Sequence, residues 1–95
     1  SMSEDSQLEE LINMTLEGTL TAIPNYIQDI EQNKTIMKVD NVKEFVFGVI
    51  IGMSLGMATT ALASIRDGEP SIEDQIKIRD MVYSKIPHIR ERIYS

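Results

Sequence analysis

The 95-residue chain has no cysteine and no tryptophan, one histidine, two phenylalanines and three tyrosines. Without cysteine it can build neither a disulfide framework nor a thiolate metal site. His88 has no second histidine with which to form a transition-metal site, and no serine or cysteine forms a recognisable nucleophile motif with it. It reads as a surface residue. The adjacent pairs Glu9/Glu10 and Glu73/Asp74 project about 100° apart on a helix, so neither converges on one substrate or divalent cation. The expectation is a non-catalytic chain with no metal and no cofactor.

Basic charge is also scarce. Nine Lys and Arg stand against fifteen Asp and Glu, giving a net charge of −6, which repels phosphate backbones at long range and argues against general nucleic-acid binding. The acidic start, SMSEDSQLEE, lacks the basic and apolar regions of a secretory signal. Ser1 ahead of Met2 reads as an expression remnant. Residues 1–44 hold nine acids and three lysines, residues 45–65 hold no charge, and residues 66–95 hold six of each sign. The locally basic C-terminal part (Lys77, Arg79, Lys85, Arg90, Arg92) has no aromatic stacking platform of the kind single-strand binders use. It is expected to pair with the acidic N-terminal helix of its own or a neighbouring chain.

What the chain does have is helical periodicity. An acidic, flexible stretch is expected at 1–6. Leu8, Leu11, Ile12, Leu16, Leu20 and Ile23 recur every three or four residues, which predicts an amphipathic helix. Pro24 breaks or kinks it, and the proline-broken helix runs over 7–33. Residues 34–41 read as a loop. Asn41 and Glu44 form a capping-box pattern opening a helix over 42–66, and Gly68 offers a left-handed terminator before Pro70. A second proline-broken helix, over 71–94, starts at Ser71 with Asp74. It carries Ile72, Ile76, Val82, Tyr83 and Ile86, and is interrupted at Pro87.

The central helix decides the class. Phe45 to Ile65 is twenty-one consecutive uncharged residues, long enough at 1.5 Å per residue to cross about 30 Å of hydrocarbon. Its flanks are poor anchors, with Glu44 and Asp67 close by and no Trp or Tyr adjoining the run. The other helices carry apolar stripes that need a buried partner. A soluble reading is therefore favoured: an all-α, small helical bundle with proline-bent helices around an apolar central helix, completed by dimerisation because so short a chain cannot cover that helix alone.

On a straight helical wheel Gly48, Gly52, Gly56, Thr59 and Ala63 fall within about 80° of one another. They are the expected helix-packing or dimer interface, within one chain or between two. Val46, Ile50, Met53, Met57, Ala61 and Ser64 fall opposite. Met53, Met57, Phe45 and Phe47 could alternatively line an apolar cavity. These features carry no family identity. The expected function is a cytoplasmic helical interaction or assembly module that forms a homodimer or meets another protein. The alternatives are a single-span membrane protein with cytosolic helices and a carrier of an apolar ligand.

Overall fold

A computed structural model describes residues 3–95; the reading of Ser1 and Met2 lies outside the described residues. The described residues form an all-α bundle of five helices: α1 (Glu4–Thr21), α2 (Ile23–Met37), α3 (Val42–Arg66), α4 (Ile72–Tyr83) and α5 (Ile86–Tyr94). No strand occurs among the described residues.

Each boundary has a local cause. Ser3 caps α1, its Oγ accepting from the Ser6 N–H at 3.2 Å, so residues 4–6, expected to be flexible, are helical. Ala22 (φ −87°, ψ −2°) and Lys85 (φ −92°, ψ −3°) close α1 and the α4 segment in nearly the same conformation. Each precedes an Ile-Pro pair that opens the next helix, where the missing proline N–H would have no intrahelical partner anyway. Ser71 and Asp74 form a complete capping box at α4. Asn41 makes only half of one at α3: its Oδ1 accepts from the Glu44 N–H at 3.1 Å, while the Glu44 carboxylate is engaged with α5.

Two expectations need correction. Helix α2 continues to Met37, so the loop expected over 34–41 is confined to its last part. Past Ile30 the helix leaves the core and Ile36 is exposed. Apolar periodicity fades there, while the backbone hydrogen bonds continue. At the end of α3 the left-handed residue is Asp67 (φ 53°), and no glycine has positive φ. Gly68 comes one position later and donates its N–H to the Ala63 carbonyl at 3.1 Å. Together the two residues form a Schellman-type end in which aspartate takes the place usually given to glycine. Lys38 (φ 57°) does the same for α2.

Two core clusters lie along α3. Leu16, Leu20, Ile23, Ile30, Ile89 and Ile93 pack on Val46 and Ile50 at its N-terminal half. Leu8, Ile12, Ile78 and Val82 pack on Ala58 and Leu62 at its C-terminal half. Between the clusters Ser54 is 2 % exposed and its Oγ has no hydrogen-bond partner among the described residues. A buried hydroxyl without a partner carries its desolvation cost uncompensated. Ser54→Ala should therefore raise stability by about 1 kcal/mol, with a small helix-propensity gain included. Thermal unfolding of the variant checks this, and an unchanged or lowered midpoint would show that the hydroxyl has a partner in solution.

Candidate functional site: the open face of the central helix

Burial along α3 follows a strict four-residue row. Val46, Ile50, Ser54, Ala58 and Leu62 are all buried; Phe47, Ile51, Leu55, Thr59 and Ala63, one position on, are all half-buried; Gly48, Gly52, Gly56, Thr60 and Ser64 are all exposed. The remaining row, Phe45, Val49, Met53, Met57, Ala61 and Ile65, is half-buried to exposed, with Phe45 at 38 % and Met57 at 47 %. The buried apolar side chains of α1 (Leu8, Ile12, Leu16, Leu20) and the buried residues of α4 (Asp74, Ile78, Val82) also recur every four residues, with Thr19 buried beside the α1 row. Rows of this kind are inclined to the helix axis and interlock when helices cross at about −50°.

The open side of α3 is therefore a groove of small residues beside a ridge of large ones. A Cβ added at Gly48, Gly52 or Gly56 would meet no neighbouring atom within 4 Å. No helix of the same chain uses these glycines for close approach. Toward α1 the open face continues into a shallow groove lined by Thr15, Gly56, Met57, Thr60, Ala61 and Ser64. On the α4 side Leu55 and Thr59 share a second groove with Ile72, Ile76 and Tyr83. Ile72 is 77 % exposed.

The five residues expected to form one interface thus divide. Gly48, Gly52 and Gly56 lie together on the open row. Thr59 and Ala63 lie on the neighbouring half-buried row, and the Thr59 hydroxyl donates to the Leu55 carbonyl at 2.7 Å. Thr60 and Ser64 take their places. The expected opposite side is corrected in the same way: Val46 and Ile50 are buried, but Ser64 and Met57 are exposed and Met53 and Ala61 half-buried. The physical reason is drift. Each four-residue step advances about 40° around the axis, and the covering helices follow the step rather than a straight line. In α4, Ile72, Ile76 and Tyr83, expected on the buried stripe, are exposed; Val82 is buried as expected, and Asp74 and Ile78 are buried with it.

The surface charges are largely paired within the chain. Lys77 reaches Asp5 at 2.9 Å, Lys85 reaches Glu9 at 3.4 Å, and Glu17 meets His88 Nε2 at 3.4 Å and Arg92 at 3.7 Å. Arg66 pairs with both Glu4 and Asp74. Of the five basic C-terminal residues, Lys77, Lys85 and Arg92 thus face the acidic α1 of their own chain, whereas Arg79 pairs with Asp80 and Arg90 with Glu44. Among the described residues no group of three or more His, Asp or Glu is placed to hold a metal ion. Phe47 lies under the Arg90 guanidinium, 3.9 Å from its ring centre, on a different row from Phe45, Met53 and Met57. The four side chains do not converge on one cavity.

One polar cluster fastens α5 to the start of α3. Glu44 accepts from Arg90 at 2.9 and 3.2 Å and also from the Tyr94 hydroxyl. These bonds, Arg90 first and Tyr94 second, lower the Glu44 pKa, and the Glu44 hydrogen bond raises that of Tyr94. A depressed carboxyl contributes stability that is present above its unfolded value, about 4.3, and is lost as pH falls through the lower folded value. A raised phenol contributes stability that is present below about 10 and is lost as pH rises through its higher folded value. Wild type should therefore lose stability below about pH 4.5 more steeply than Glu44→Gln does. Chemical denaturation at pH 7 and pH 3.5 checks this; equal pH dependence in both proteins would mean that the cluster is not formed in solution.

Comparison with family models, with curated proteins and with solved structures finds no match for this chain.

Proposed function

We propose that the chain is a non-catalytic helical assembly module that self-associates through the open face of α3. The observation that carries this reading is the uncovered four-residue row of Gly48, Gly52, Gly56, Thr60 and Ser64 beside its large-residue ridge. Ridge and groove on one surface are self-complementary under a two-fold axis, the usual symmetry of a homodimer.

Surface area supports the same reading. The chain exposes 6091 Å², against about 5,500 Å² for a typical folded monomer of 10.7 kDa. The excess, about 600 Å², is close to the roughly 800 Å² per partner that a standard interface buries. The radius of gyration, 14.7 Å, exceeds the roughly 12.4 Å of a compact chain of this length, so a long flank is open to a second copy.

A membrane reading has one observation in its favour: an 18-residue window of α3 has mean hydropathy 1.9 and is only 28 % buried within the chain. Lipid would have to accept, beside α3, the ion pairs of α1, α4 and α5, which run from Arg66 at one end to Arg90 at the other. Desolvating such pairs costs several kcal/mol per ion. A cytoplasmic, water-soluble dimer avoids that cost. Preparation without detergent followed by light scattering over a range of concentrations tests the proposal. A dimer mass is expected; a monomer at all concentrations, or a product that stays with membranes, would overturn it.

A further inference from the structure

The two core clusters divide the molecule into ends of different charge. Residues 3–10 and 66–77 come together where α1 starts, α3 finishes and α4 starts, around Leu8, Leu62 and Ile78. They carry eight carboxylates and two cations, a formal charge of −6. Residues 23–46 and 85–95 gather at the other end around Ile23, Val46 and Ile89. They carry five carboxylates and six cations, a formal charge of +1. The net charge of the chain is thus concentrated at one end of its 46 Å length.

Resting on the self-association proposed above, we infer that two copies pair antiparallel, α3 against α3, with the two-fold axis near Gly56, so that the acidic end of each chain lies over the basic end of the other. A parallel pair would set two ends of charge −6 on the same side of the crossing, roughly 15–20 Å apart, where a Debye length of about 8 Å leaves a residual repulsion that grows as salt is lowered. The antiparallel pair removes this juxtaposition and also opposes the two helix macrodipoles. Gly56 is the midpoint of the open row. A two-fold there places Gly56 against Gly56, Gly52 against Thr60 and Gly48 against Ser64, small against small throughout. The ridge of Val49, Met53 and Met57 on each copy then falls into the groove of the other.

The absence of cysteine makes the test direct. Spin labels are attached to Glu69→Cys in the full chain, outside the proposed contact, and the inter-label distance is measured on protein whose dimer mass has been checked by light scattering. Glu69 follows the end of α3 at Arg66, which lies about 15 Å along the axis from the crossing point at 1.5 Å per residue, so an antiparallel crossing near −50° places the labels about 30 Å apart and a parallel one about 15 Å. In addition, a mixture of Gly52→Cys and Thr60→Cys chains should form the mixed disulfide in preference to either homodimeric one. A long distance together with the mixed disulfide supports the inference. A dimer with the short distance, or with Gly52→Cys linked mainly to itself, overturns the antiparallel arrangement while leaving self-association standing. A monomer with no inter-label signal overturns both.

Discussion

Gly52→Leu should convert the proposed dimer to a monomer that is still folded. Inside the chain the new side chain meets nothing within 4 Å of its Cβ, so the monomer has no packing to lose and gains about 1 kcal/mol of helix propensity. In the proposed dimer the same side chain would enter the groove where two backbones approach. Overpacking costs about 1–3 kcal/mol per site, and a two-fold interface contains the site twice. The dimer should weaken by roughly 30-fold to 10⁴-fold, a range that follows from about 2–6 kcal/mol at 1.4 kcal/mol per tenfold. Light scattering and circular dichroism on one sample separate the two effects: the mass should halve while the helix signal is retained. A variant that remains a dimer at low concentration would remove the open row from the interface. A variant that unfolds would show that this row is covered within the chain.

The same drift that defines the site limited what the sequence could show of it. Helix content, the central helix and both Ile-Pro junctions were legible, because apolar period and proline chemistry act locally. Gly48, Gly52 and Gly56 were legible as a set, since three glycines four apart share a face under any projection. Thr60 and Ser64 were not, because a straight wheel at 100° per residue puts Thr59 and Ala63 nearer the glycines. Only the crossing of α1 and α4 over α3 selects the four-residue row, and that crossing is a tertiary fact. Asp67 was missed for a related reason. The left-handed position falls on whichever residue follows the last helical turn, and the adjacent Gly68 drew the signal although it lies one place too far along.

Pairing of Lys77, Lys85 and Arg92 with α1 was legible as charge complementarity, but its register was not, nor were the partners of Arg79 and Arg90. Lys77 with Asp5, Lys85 with Glu9 and Arg92 with Glu17 run in the same order along both chain segments, so α1 and the α4–α5 segment lie side by side in parallel. Exposed pairs of this kind contribute little each. They accompany the register in which Ile12, Ile78 and Val82 pack in one buried cluster.

Ile50→Ala should be the most damaging single truncation within the chain. Ile50 is fully buried in the cluster where α1, α2 and α5 meet α3. Deleting its outer carbons leaves a cavity that helices held by rows on several sides cannot readily close. The expected loss is about 2–5 kcal/mol, a large part of the roughly 5–15 kcal/mol that holds a small domain together. The midpoint of thermal unfolding should fall by ten degrees or more at about 4–8 °C per kcal/mol. Val49→Ala, one position away on the outer ridge and half-buried, should cost far less in the monomer and act mainly on association. The form of the transition carries further information. Helices α1 and α3 run unbroken through both clusters, from Leu8 to Leu20 and from Val46 to Leu62, so damage at Ile50 should also lower protection of α4 amides, one core cluster away. Hydrogen exchange that accelerates equally in α4 and α5 would show one cooperative unit. If α5 exchanges early and α4 keeps its wild-type protection, the two clusters unfold separately, and Ser54 marks the boundary between them.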